Sequence, residues 1–119
     1  EIKLRISALY AMGRTSDPAW MSTLVKEMSS PESAMRYEAA SACGELGEEE
    51  AVPYLIPLIQ DEDLQVQVAA IKALGAIGGS LAKLALRRCV KTGDDAIQEA
   101  AQEALQQLEV EEGTLGFNS

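Results

Sequence analysis

The sequence predicts an all-α chain, an α-solenoid of antiparallel helix pairs with about seven helices in three and a half repeats of 31 residues. Three observations carry this. First, the text YEAASACGELG at 37–47 returns as VAAIKALGAIG at 68–78, ISALYAMGRTS at 6–16 and EAAQEALQQLE at 99–109. The starts 6, 37, 68 and 99 are equally spaced, without insertion or deletion. Such a period marks units that bury one another's apolar faces. Second, the apolar positions inside each copy recur at helical spacing: Ile6, Leu9 and Met12 become Tyr37, Ala40 and Cys43, then Val68, Ile71 and Leu74. Third, 47% of residues are hydrophobic but only 4% aromatic, mostly Ala and Leu, which suits closely packed helices.

Taken in order, the expected helices cover residues 2–13, 18–28, 31–46, 49–59, 62–77, 81–90 and 94–108. The 11-residue text is the second helix of each repeat. Two of its columns are Ala in all four copies: Ala8, Ala39, Ala70, Ala101 and Ala11, Ala42, Ala73, Ala104. Small residues at one angular position let neighbouring helices approach closely. Ser30, Asp61 and Thr92 stand at one register as expected N-caps, and Pro31 fits the first helical position. Gly47 and the Gly78–Gly79 pair fit left-handed C-terminal caps. Gly13, Gly44 and Gly75 lie one turn earlier. Each disfavours a helix by about 1 kcal/mol relative to Ala, so their recurrence implies close backbone contact.

The first helices are in phase, with Leu24, Leu55 and Leu86 in one column and Met28, Ile59 and Val90 in another. Asp17 and Pro18 form an N-cap and first-position proline. Pro53 belongs in the opening turn of its helix, whereas Pro57 is too deep and should kink or loosen it. The last helix turns polar, with Glu99, Gln102 and Gln106 in place of apolar or small residues, as a capping unit requires. The first helix keeps Ile6, Leu9 and Met12 with nothing before it. That face calls for an upstream repeat, a partner chain or a second copy. The chain, which does not begin with Met, therefore reads as part of something longer. Residues 109–119, acidic and then Gly-rich, read as a flexible tail.

Composition excludes several functions. Ten Lys and Arg stand against nineteen Asp and Glu, a net charge of −9, which argues against nucleic-acid or anionic-membrane partners. No apolar run approaches the roughly 20 residues needed to span a bilayer. Cys43 and Cys89 make no disulfide framework and favour a reduced, cytoplasmic setting. Histidine is absent, which removes Ser–His and Cys–His nucleophile systems and most zinc sites. The acidic clusters 48–50, 61–63, 94–95 and 109–112 lack the ordered ligand loop of a Ca²⁺ site and read as helix capping. Cys43 shares a core column with Met12, Leu74 and Leu105, and Cys89 reads as core beside Arg87 and Arg88. Trp20, in an outer helix, reads as core or end-cap packing. Lys83, Arg87, Arg88 and Lys91 form the basic cluster. Anion contact is one reading, pairing with Asp94, Asp95 and the acidic tail a second, and a solvated convex face a third.

The text A-x-x-A-L-G-x-I-G at Ala70 to Gly78 and A-V-P-x-L at Ala51 to Leu55 resembles HEAT-like repeats, of the short class also found in phycobilisome-lyase-type proteins. The resemblance covers residues 2–108. It implies a right-handed solenoid whose second helices line a concave, partner-binding face, and it does not imply an enzyme; the residues themselves point to no cofactor or metal. Without histidine, the di-iron hydroxylase branch of HEAT-repeat enzymes, whose ligands are His–Glu pairs, does not fit either. Arg5 and Arg36 keep the family's usual arginine at the second-helix start, but Gln67 and Gln98 replace it. An Asp–Arg ladder is thus in doubt in the C-terminal half.

On that architecture the exposed columns of the second helices are Tyr10, Ser41, Lys72, Glu103 and Arg14, Glu45, Ala76, Gln107, flanked by Ser7, Glu38, Ala69 and Ala100. The expected partner-binding residues are Ser7, Tyr10, Arg14, Glu38, Ser41, Glu45, Lys72, Glu103 and Gln107. The expected role is a non-catalytic protein-interaction scaffold. The alternatives are a substrate-holding domain or subunit of a lyase-type enzyme and a structural spacer in a longer array.

Overall fold

The computed structural model describes residues 1–15 and 17–117. All regular structure among them is helical: α1 (Ile2–Arg14), α2 (Met21–Glu27), α3 (Ser33–Leu46), α4 (Val52–Leu55), α5 (Leu64–Ile77), α6 (Ser80–Thr92) and α7 (Asp95–Phe117). Consecutive second helices α1, α3, α5 and α7 pack side by side, and α2, α4 and α6 form the outer layer against them. The result is an elongated slab of 47 × 32 × 18 Å. Paired antiparallel helices of this kind are what the 31-residue period predicts.

The core lies between the layers. Leu24, Leu55 and Leu86, one per repeat, are fully buried, as are Ala39, Ala70 and Ala101. The repeated glycines set the spacing within the inner layer. A Cβ on Gly13 would sit 2.7 Å from Ala42 Cα, one on Gly44 3.0 Å from Ala73 Cα, and one on Gly75 2.8 Å from Ala104 Cβ. Each glycine thus meets the alanine 29 positions on, in the next second helix. Close contact was the expectation for this column, and the geometry supplies its partner.

The outer helix of the middle repeat is broken rather than continuous. A 3₁₀ turn (Glu49–Ala51) leads into α4, and a second (Ile56–Gln60) follows it. Pro57 lacks the N–H needed to continue the α-helical bonding, which accounts for the change of pattern. Asp17 caps the first outer segment, accepting from Ala19 N–H at 2.9 Å ahead of a 3₁₀ turn (Pro18–Trp20).

Several expectations need correction. The N-cap register lies two residues later than expected, at Glu32, Asp63 and Asp94. Asp63 Oδ1 accepts from Gln65 N–H at 2.8 Å and Val66 N–H at 3.4 Å, and Asp94 Oδ1 accepts from Ile97 N–H at 3.1 Å. Ser30 and Asp61 accept from the N–H two residues on, forming the turn before the helix. Thr92 ends the preceding helix and donates its hydroxyl to Arg88 O. Side chains of this kind serve a pre-helix turn as readily as a cap, so the residue type alone left the register open.

The C-terminal segment expected as a flexible tail is helical to Phe117; residues 118 and 119 lie outside the described residues. Nothing in Glu109–Glu112 stops a helix, and Lys83 of α6 forms an ion pair with Glu112. On α1 the face left uncovered is not Ile6, Leu9 and Met12. Leu9 is buried and the other two half-buried, whereas Leu4, Ala8 and Ala11 are exposed. Trp20 is 39% exposed, more than core packing predicts. Gly47 has the left-handed conformation expected of a C-cap, but Gly78, at φ 76° and ψ −158°, occupies a region open essentially to glycine alone.

Candidate functional site

Grooves run between the second helices on their exposed side. Between α1 and α3 a shallow one of about 150 Å³ is lined by Tyr10, Arg14, Glu38, Ser41 and Glu45. Between α5 and α7 one of about 230 Å³ is lined by Lys72, Glu103 and Gln107. The largest, about 670 Å³, lies between α3 and α5. Ser41, Glu45 and Lys72 line it together with Tyr37, Leu64, Val68 and Ala76. Eight of the nine expected face residues therefore line three adjacent grooves; Ser7 is exposed on α1 outside them.

The spacing explains this. Tyr37, Ser41 and Glu45 recur every four residues, as do Leu64, Val68, Lys72 and Ala76, so each set forms one line along its helix. The Gly44–Ala73 contact draws the two backbones together at the floor, leaving the longer side chains to stand as walls. Tyr37, 40% exposed, and Leu64, 49% exposed, form the apolar end. Glu45 and Lys72 line the other end, and no ion pair joins them among the described residues. On α1, Arg14 is held in place: its Nη1 donates to Tyr10 Oη at 3.3 Å, and the guanidinium lies 5.7 Å from the ring centre.

Glu38 sits on the α1 side of Tyr37, in the α1–α3 groove and in an adjoining recess of about 190 Å³ that also reaches Asp63. Burial pushes its carboxyl above the usual range, and it has no ion-pair partner among the described residues. No side-chain oxygen there is sealed from solvent without a partner, so the carboxylate remains reachable.

Tyr37, Leu64 and Val68 were not among the expected face residues. Tyr37 and Val68 share the apolar column of Ile6 and read as core. The one available signal was the phenol, an apolar body with a polar tip that favours a boundary over a sealed interior. Leu64 carried no such signal. Its exposure follows from the true helix start at residue 64.

Beside the grooves, Arg36 links successive repeats. Its Nε and Nη2 donate to Asp61 at 2.8 and 3.1 Å, and its Nη1 donates to Ser30 O at 2.8 Å. One repeat later Gln67 donates instead to Ile59 O at 2.6 Å. The Arg–Asp pairing thus stops where the arginine does. Arg5 of α1 pairs with Glu27 of α2, the first helix of the next repeat, at 3.2 Å.

Other candidate chemistry has no matching geometry. Cys43 and Cys89 are both buried, and burial pushes the Cys43 thiol up to about 12. The Cys89 thiol is likewise raised by burial, against the opposing charge of Arg88. Among the described residues no three Cys, Asp or Glu side chains are grouped so as to hold a metal ion. No described helix is long and apolar enough to cross a membrane.

Comparison with known families agrees with the repeat geometry: the HEAT repeats family matches residues 1–60 and again residues 21–106. The chain belongs to the HEAT repeat family. The HEAT array is also similar to deoxyhypusine hydroxylase of Gallus gallus, at 28% identity over 107 residues. That match covers 88% of this chain and 36% of the hydroxylase, so the array spans about a third of the relative's length.

Proposed function

We propose that this HEAT array is a non-catalytic protein-interaction scaffold, recognising a partner protein through the grooves between its second helices. The observation that supports this most directly is the α3–α5 groove of about 670 Å³. Its exposed apolar residues and its charges, which form no ion pair among the described residues, are features of recognition surfaces, where apolar area supplies affinity and charge supplies specificity. The lack of histidine in the sequence and the inertness expected of the buried thiols favour binding over catalysis. The net charge of −9 favours a protein over nucleic acid or an anionic membrane. No cofactor is part of this reading.

A photocrosslinking side chain placed at Ser41 and, separately, at Tyr54 tests it. Ser41 lies in the groove and Tyr54 is an exposed residue of α4. A discrete cross-linked protein at Ser41 and none at Tyr54 is the expected result. The reverse pattern, or equal labelling at both, would leave the grooves as mere solvent-facing structure and the array as a spacer. A second reading draws on the similarity to a hydroxylase and on the short, lyase-type period: the array holds a substrate protein for catalysis carried elsewhere. In that case the Ser41 cross-link is to a protein that emerges chemically modified.

A further inference from the structure

The α3–α5 groove is unevenly charged along its length. From Leu64 to Ala76 there are twelve helical steps, ~18 Å at about 1.5 Å per residue. That accommodates about three helical turns or about six extended residues of a partner. At the end near the helix C-termini, Glu45 and Lys72 offset one another. At the other end stands the apolar wall of Tyr37 and Leu64, with Glu38 and Asp63 beside it around the adjoining groove.

The two carboxylates differ. Asp63 is committed to the N-terminus of α5, accepting two backbone N–H bonds. Among the described residues Glu38 neither caps a helix nor forms an ion pair, and its surroundings are partly desolvated. A carboxylate in that position gains most from a cation brought by a ligand, because partial burial strengthens the pairing. The apolar wall next to it requires that the same ligand carry an aliphatic or aromatic side chain one or two positions away.

Building on the interaction-scaffold reading, we propose that the groove receives a basic, apolar-anchored peptide segment of the partner, with an apolar side chain between Tyr37, Leu64 and Val68 and a Lys or Arg at Glu38. The net charge of −9 adds long-range attraction for such a segment.

The test uses the full chain and two fluorescein-labelled peptides of about twelve residues, a length of about three helical turns. One has Leu and Lys at helical spacing; the other has Glu at every Lys. Anisotropy titrations are run at about 0.15 M salt, where exposed charges are largely screened. The basic peptide is expected to bind and the acidic one not. Glu38→Gln and Leu64→Ser should each weaken binding about tenfold, the scale of one charged hydrogen bond or one buried Leu. Tyr54→Ala, outside the groove, should change it less than about twofold. Glu38 and Leu64 are not core side chains, and a circular-dichroism melt of each variant identifies any that misfolds, leaving the other to decide. The proposal is overturned if the acidic peptide binds as tightly, if neither peptide binds, or if both folded groove variants bind like the parent. A Ser41 cross-link obtained alongside any of those results would keep the scaffold reading and remove only the basic-segment assignment.

Discussion

Replacing Gly75 by Ala opposes two effects of known sign. In an isolated helix the change favours folding by about 1 kcal/mol, because Ala loses less backbone freedom. Here the new methyl meets Ala104 Cβ at 2.8 Å and Ala104 Cα at 3.3 Å, so α5 and α7 must move apart. Overpacking of that kind is unfavourable by about 1–3 kcal/mol, which leaves a net loss of about 0–2 kcal/mol. Gly113 supplies the reference. It lies in α7 with nothing within 4 Å of its would-be Cβ, so Gly113→Ala keeps the propensity gain alone. The difference between the two variants therefore isolates the overpacking, about 1–3 kcal/mol. Urea unfolding followed by circular dichroism reads this as a lower midpoint at unchanged slope for Gly75→Ala, against an equal or higher midpoint for Gly113→Ala. Gly13→Ala should behave like Gly75→Ala, since its methyl would meet Ala42 Cα at 2.7 Å. If Gly75→Ala stabilises as much as Gly113→Ala, the glycine column does not set the helix spacing and the packing reasoning fails.

Three further outcomes follow from particular residues. Asp63→Ala and Asp94→Ala should each destabilise by about 1 kcal/mol as lost N-caps, while Thr92→Val stays within about 0.5 kcal/mol; equal losses in all three melts would restore the earlier cap register. Burial alone would raise the Asp61 carboxyl, but the Arg36 hydrogen bond, the Asp63 N–H and the Arg36 charge together hold it below its usual range. A carboxylate depressed on folding contributes stability above its unfolded value of about 3.9 and loses it as pH falls through the folded value. Asp61→Asn should therefore lose about 2–4 kcal/mol at neutral pH, with the gap to the parent narrowing below about pH 4; a gap constant down to pH 2 would contradict the ion pair. Both thiols should resist a thiol-reactive chromophore at about pH 8 and react fully in urea, since each is buried; rapid labelling of either in the native state would place it at the surface.

The 31-residue period, the paired helices, the Leu column and the close approach at the glycine column were legible because each depends on residues that successive repeats supply in register; the alanine that each glycine meets was supplied by the structure. Eight of the nine residues singled out in the sequence line the grooves, since what does not repeat is free to face outward. The cap register was not legible, because Ser30, Asp61 and Thr92 bond to backbone in turns and helix ends as well as in caps. The helical course of residues 109–117 was missed because acidic residues and a glycine read as loose chain until Lys83 and Glu112 meet. Above all, the sequence by itself determined the scaffold, whose local periodicity is encoded residue by residue. Only the tertiary structure decided the apolar end of the groove. Tyr37 and Leu64 are exposed because of where α3 and α5 start and how closely glycine lets them pack, and that depends on two segments at once.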